Sequence, residues 1–146
     1  MKKKLIVILL LTLFLQPFLY SKEHVNNTQK VLIILNNYPY DGSDKTWNAL
    51  RLAEQLNSEK HVVRIFLIND SIDLAKDATK KPEGFSYDLV KMLKELIKQN
   101  VEVKACSTCM NRCGKHKNEP YFSKNIIGHM NDLSQWIITS DKIVSF

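Results

Sequence analysis

All three cysteines of this 146-residue chain fall within eight consecutive positions, Cys106-Ser107-Thr108-Cys109-Met110-Asn111-Arg112-Cys113. Thiols kept for packing would be scattered through a core, so this clustering points to thiol chemistry. Cys106 and Cys109 are three apart and Cys109 and Cys113 four apart, so a helical turn would bring all three onto one broad face. At those spacings the Cα separations fall roughly within the 4.4–6.8 Å that a disulfide spans. A thiol between a strand end and a helix start, with Lys104, Arg112 or His116 nearby, can fall below the free value of about 8.5 and act as a thiolate near neutral pH.

Three chemistries fit these residues. A structural disulfide in an oxidising compartment is one, and it leaves one cysteine unpaired. A metal site is the second, since C-x-x-C is half of many zinc sites. No second C-x-x-C exists, however, and only His116 or His129 is placed to complete the set. The third is a reactive thiol, either a dithiol/disulfide pair or a carrier that holds sulfur as a persulfide, and this reading is preferred. It requires no metal or other cofactor beyond sulfur on the cysteine itself.

The elements that position the thiols can be read from hydrophobic pattern. Val31 to Leu35 and Val62 to Ile68 are continuous apolar, β-branched runs, the pattern of strands buried on both faces. Val101 to Ala105 is a third strand, directly before Cys106. A short strand at Asn125 to Ile127 and a closing one at Lys142 to Phe146 follow. Between them, Trp47, Leu50, Leu52, Ala53 and Leu56 have helical spacing, with Ser43 or Asp44 as the cap. Ser86 is read as the cap of a helix through Leu89, Met92, Leu93, Leu96 and Ile97. Met130 to Thr139 is a helix with Leu133, Trp136 and Ile137 inward, and a weaker helix is expected over Ile72 to Ala78. Strands alternating with helices predict an α/β fold with a parallel sheet covered on both faces.

Ligands and chemistry gather at the carboxyl ends of strands in such sheets. The loops there begin at Asn36, Asn69 and Cys106. Tyr38, Tyr40, Asp41 and Asp70 are therefore pocket-lining candidates. Turn chemistry around Pro39 and Gly42 also explains the first three, and a helix cap explains Asp70 and Ser71. His129 can tune a thiol or sit as a surface or cap residue. Trp47 and Trp136 read as core, and Lys76, Lys80 and Lys81 as a solvated face.

The N-terminus carries a different signal. Lys2-Lys3-Lys4 precede an unbroken apolar run from Leu5 to Leu15, shorter than the roughly 20 residues of a membrane span and matching a secretory signal. Residues 1–21 are read as a signal peptide or uncleaved anchor, 22–29 as a linker and 30–146 as the domain. The protein is thus expected to be exported, periplasmic or secreted, or else membrane-anchored by that segment alone. The three signal lysines supply half of the formal net charge of +6. What remains is an ordinary solubility margin without a basic stripe, which argues against a nucleic-acid partner.

The ordered features together resemble the DsrE/DsrF-like family. They are the strand Val31–Leu35 with Tyr38-Pro39-Tyr40-Asp41, the helix containing Ala49-Leu50-Arg51-Leu52-Ala53, and the strand ending Phe66-Leu67-Ile68-Asn69-Asp70. They continue in Val101 to Cys109 and in Gly128-His129-Met130-Asn131-Asp132-Leu133 through Asp141 to Phe146. The resemblance implies a three-layer α/β/α domain with a mostly parallel sheet of about five strands, assembled into homo-oligomers, commonly trimers or hexamers. It also implies, for members of the sulfur-relay type, a persulfide on a cysteine just after the third strand. Carried onto this chain that residue is Cys106, with sulfurtransferase-like activity and a sulfur donor or acceptor protein or small thiol as partner. Cys109 and Cys113 lie outside the minimal relay pattern. Cys109 is the expected resolving thiol, with Cys113, Arg112 and His129 as support. The rival expectation is a non-catalytic oligomeric module that binds a small ligand and uses its cysteines as a stabilising bridge.

Overall fold

The computed structural model describes residues 27–146. The signal or anchor expected at 1–21, and most of the linker expected at 22–29, lie outside them. Among the described residues no helix is long and apolar enough to cross a membrane.

Five parallel strands form one sheet: β1 (Lys30–Leu35), β2 (Val62–Leu67), β3 (Glu102–Cys106), β4 (Ile127–Gly128) and β5 (Lys142–Ser145), in the spatial order β4-β3-β2-β1-β5. Among the described residues three α-helices accompany them: α1 (Lys45–Ser58), α2 (Leu89–Lys98) and α3 (Met130–Thr139). The predicted α/β architecture is the one observed. Successive side chains of a strand point to opposite faces. In β2, Arg64 and Phe66 meet Trp136 of α3, at 5.5 Å from the guanidinium carbon and 6.1 Å between ring centroids, while Val63, Ile65 and Leu67 are buried on the other face. Both faces of the sheet are therefore covered, and this is why β1 and β2 read as apolar runs without alternation. Leu32, Ile33, Ile65, Phe66 and Leu67 are fully buried, each contributing about 1.5–3 kcal/mol by removal from water.

Several local expectations are corrected. At α1, Asp44 occupies the cap position but its side chain makes no cap bond, because its backbone is not extended (ψ 9°), and Ser43 gives its N–H and hydroxyl to Asp41 instead. At α2, Asp88 replaces Ser86 as the cap. Its extended backbone lets its carboxylate accept the Lys91 N–H at 3.0 Å, while the Tyr40 hydroxyl accepts the free Leu89 N–H at 2.9 Å. Ile137 is exposed rather than inward, and Trp47 is half-buried, stacked on Tyr87 at 5.0 Å.

The weak helix expected over Ile72–Ala78 is a 3-10 helix at Asn69–Ala75. It ends where Lys76 turns extended and bridges Tyr121 in antiparallel fashion. Lys76 is thus no part of a solvated face: its exposure is 0 %. Its Nζ lies 3.4 Å from the equally buried Asp73 carboxylate and donates to the carbonyls of Met110 (3.1 Å) and His116. Position in a polar stretch hid this, because burial of a lysine depends on partners distant in sequence. Removing one member of a buried pair leaves the other uncompensated at a cost of about 3–5 kcal/mol. Lys76→Met is therefore expected to lower the stability of the purified domain by that amount, read as the midpoint of urea unfolding. An unchanged midpoint would show that the pair carries no such weight.

Candidate functional site

Cys106 is the last residue of β3, pairing with Gly128 of β4, and the chain turns sharply after it. The Cys109 N–H donates to the Cys106 carbonyl (3.2 Å) and the Cys113 N–H to the Cys109 carbonyl (2.9 Å), so the segment winds through successive turns rather than one regular helix. The first turn brings the Cys109 thiol to 2.7 Å from the Cys106 sulfur, with both thiols free. Thr108 places its hydroxyl 3.2 Å from the same sulfur. Cys106 is 2 % exposed and Cys109 8 %, whereas Cys113 is half-buried.

These neighbours separate the two thiols electrostatically. Burial alone would raise the Cys106 thiol. The hydrogen bonds from the Cys109 thiol, the Thr108 hydroxyl and the two backbone N–H groups of the turn outweigh it and hold Cys106 below its ordinary value of 9.0. Cys109 is pushed up to about 12 by burial, by its bond to Cys106 and by the negative charge that Cys106 and Cys113 would carry, against a backbone hydrogen bond at Asn69. One buried thiol is therefore disposed to ionise while its neighbour keeps its proton. The lowering arises from hydrogen bonds to sulfur; the sequence had pointed to cations instead, and Arg112 is exposed.

The other candidates divide by place. Asp70 accepts the Gly114 N–H at 2.7 Å, and Asp73, which the sequence reading did not single out, accepts from Lys115 (2.6 Å) and His116 (3.3 Å). Both carboxylates thus hold the end of the cysteine loop. Gly114 is required there: its φ is +76°, and an added Cβ would lie 2.3 Å from the Asp73 carboxylate. Tyr38 borders the same loop, with the Lys115 ammonium 3.9 Å from its ring centroid, and burial raises its hydroxyl. Tyr40 belongs to the core, its ring 5.1 Å from that of Phe85. Asp41 turns into its own loop, where despite some burial the Ser43 and Asn37 bonds hold its carboxyl below the ordinary range.

His129 is exposed at the start of α3. Its Nδ1 is 2.9 Å from the Ser107 hydroxyl, and its N–H is accepted by Asp132, whose carboxyl the Lys104 ammonium at 2.6 Å holds low. It therefore touches the residue beside Cys106 rather than a sulfur. Among the described residues no three His, Cys, Asp or Glu side chains group so as to hold a metal ion. Tyr121, likewise unforeseen, is buried and donates its hydroxyl to the Cys106 carbonyl at 2.6 Å. Burial first, then the nearby thiols and Asp73, push that hydroxyl upward, so it remains a donor.

The chain is of the class of small three-layer α/β proteins built on one parallel sheet, and it carries a buried thiol pair at the carboxyl end of its third strand. Comparison with known sequences gives the class a name. The profile of the DsrE/DsrF-like family matches residues 29–146, and the chain belongs to that family. It is 36 % identical over 120 residues to protein YchN of Escherichia coli strain K12, covering 81 % of this chain and 99 % of that protein. An uncharacterized protein of Methanopyrus kandleri is 31 % identical over 116 residues, or 80 % of this chain and 93 % of the relative. The crystal structure of YchN from E. coli superposes with a TM-score of 0.69 at 35 % identity, covering 82 % of this chain and all of that one.

Alkylation of the reduced protein should report the asymmetry of the thiols. A depressed acidic group is charged at lower pH than its free counterpart, so the Cys106 rate is expected to rise with pH and reach half-maximum below 9.0. The lowering also stabilises the fold, fully above the ordinary thiol pKa and progressively less as pH falls through the Cys106 value. Thr108→Val and Cys109→Ala each remove a donor and should shift the half-maximum upward, as followed by mass spectrometry of the Cys106 peptide. Profiles that coincide with the unaltered protein would remove the hydrogen bonds as the cause.

Proposed function

We propose that the protein handles sulfane sulfur, with Cys106 as the reactive thiol and Cys109 as the resolving thiol. Family membership supports a sulfur-related role, and the observation that carries the particular chemistry is the 2.7 Å pair of unlike thiols at the end of β3. The Cys106 thiolate attacks the outer sulfur of a donor persulfide, forming Cys106–S–SH and releasing the donor as a thiolate. From there sulfur leaves by one of two routes. An acceptor thiolate takes the outer sulfur and frees Cys106, which is carriage. Alternatively, Cys109 attacks the inner sulfur, a Cys106–Cys109 disulfide forms, and the outer sulfur departs as sulfide with the Cys109 proton; two thiols are oxidised and the sulfane sulfur is reduced.

The wider setting belongs to the same proposal. The basic-then-apolar N-terminus supports export or membrane anchoring, where a sulfur donor, an acceptor protein or a small thiol would be the partner. Homo-oligomer formation is supported by exposed apolar residues on α3 and the edge strand β5, namely Met130, Ile137, Ile138 (73 % exposed) and Ile143. Light scattering of the purified domain is expected to give a trimer or hexamer, and Ile138→Asp to lower the mass; a wild-type monomer would refute this.

One observation favours the binding-module reading. A cleft of about 380 Å³ between α1 and α2, lined by Leu50, Glu54, Tyr87, Lys91, Met92 and Glu95, lies apart from the thiols. Intact mass after mild polysulfide treatment discriminates the two. A gain of roughly 32 Da that dithiothreitol reverses and that Cys106→Ser abolishes is expected. A gain that survives Cys106→Ser would reassign the thiol, and no gain at all would favour the binding module.

A further inference from the structure

We propose that Cys113 is a third redox position, which takes over Cys109 by thiol-disulfide exchange and so converts the protein from one that releases sulfide into one that retains sulfur on Cys106. The inference rests on the reading of Cys106 and Cys109 given above.

Cys113 sits on a stretch held at both ends. The Met110 carbonyl is fixed by the buried Lys76 ammonium, the Gly114 N–H by Asp70, and the Lys115 and His116 N–H groups by Asp73. Two of these anchoring side chains, Asp73 and Lys76, are fully buried, and they bond the part of the loop that carries Cys113. Within that stretch the Cys113 N–H bonds to the Cys109 carbonyl at 2.9 Å, closing one turn and putting the two Cα atoms at a spacing that a disulfide can bridge. Cys109 is thus one turn from Cys106 on one side and one turn from Cys113 on the other. Of the three, Cys113 is the least buried.

The exchange follows from these positions. After Cys109 has resolved the persulfide, the Cys113 thiolate attacks the Cys109 sulfur; the Cys109–Cys113 bond forms, the Cys106–Cys109 bond breaks, and Cys106 leaves as a thiolate. Two electrons have already gone to the released sulfide, so the exchange itself needs no oxidant. Direction is favoured because the departing Cys106 thiolate keeps the Thr108 hydroxyl and the backbone N–H groups of Thr108 and Cys109, which can bond the sulfur whether or not Cys109 is a thiol. Cys106 is then free to accept a second sulfane sulfur. Cys109 is no longer a thiol, so that sulfur stays until an external thiol removes it.

The sequence supplies its own assay. Cleavage after Lys104, Arg112 and Lys115 leaves Cys106 and Cys109 on one tryptic peptide and Cys113 on another. The reduced full chain is treated with one equivalent of glutathione persulfide, quenched with acid, alkylated and mapped by mass spectrometry. Expected is a Cys109–Cys113 cross-link between the two peptides with Cys106 alkylated, together with one equivalent of sulfide. A second equivalent of donor should then load Cys106 with at least tenfold less sulfide released. In Cys113→Ser the disulfide should stay within the Cys106–Cys109 peptide, and the second equivalent should not be loaded.

A wild-type disulfide confined to Cys106 and Cys109 with Cys113 alkylated, or a cross-link made through Cys106, would overturn the exchange and leave the earlier reading standing. Absence of sulfane sulfur on Cys106 in Cys109→Ser, where resolution is blocked, would overturn the earlier reading itself.

Discussion

The thiol site depends on a charge pair that never meets solvent. Asp73 and Lys76, three residues apart where a 3-10 helix gives way to extended chain, lie beneath the loop that follows β3 and bond its backbone from below. A turn-rich loop has no ladder to satisfy its amides and carbonyls, so side chains must do it. Here one carboxylate takes two N–H groups and one ammonium takes two carbonyls. Each charge would be costly alone; the loop backbone occupies Asp73 Oδ2 and the Lys76 ammonium, while Asp73 Oδ1 makes no hydrogen bond and faces that ammonium at 3.4 Å. The geometry of the cysteines is thereby tied to the second inter-strand connection, some forty residues earlier in the chain.

The sulfurs illustrate how unlike pKa values arise from like groups. Cys106 and Cys109 are both buried, which would raise both. What separates them is the direction of hydrogen bonding: Cys106 receives, Cys109 gives. Neither a metal nor a close cation is required for that division. The hydroxyl of Thr108 adds to it, while Tyr121 acts through the backbone, fixing the carbonyl of Cys106 so that the turn toward Cys109 begins at a defined point.

Much of this was legible in the sequence, and the remainder was hidden for physical reasons. The central strands announced themselves because burial on both faces leaves no polar alternation, and the thiol cluster followed directly from three cysteines after a strand. Tyr38 and Asp41 lie on the loop after β1, whereas Asp70 lies in the 3-10 helix after β2, and which of them meets the cysteine loop is decided by partners distant in sequence, such as Gly114 for Asp70 and Lys115 for Tyr38. The start of α1, read at Ser43 or Asp44, falls at Asp44, although its side chain makes no cap bond; that of α2 lies at Asp88 rather than Ser86, because backbone angles decide whether a side chain can reach. Lys76 was the largest surprise. A lysine among polar neighbours is normally solvated, and only the bridge to Tyr121, forty-five residues downstream, carries it inside.

The shortest element of the sheet has an effect out of proportion to its size. Strand β4 is two residues long, sits at the edge, and pairs with Ala105 and Cys106 alone. An edge held by so few backbone bonds belongs to the part of a fold that opens locally, long before the core does. Cys106 is almost wholly buried and is the last residue that this edge holds in the sheet, so fraying of β4 would loosen the backbone on which the thiol is mounted. Two residues of edge strand thus set how firmly the backbone that carries the thiol is held.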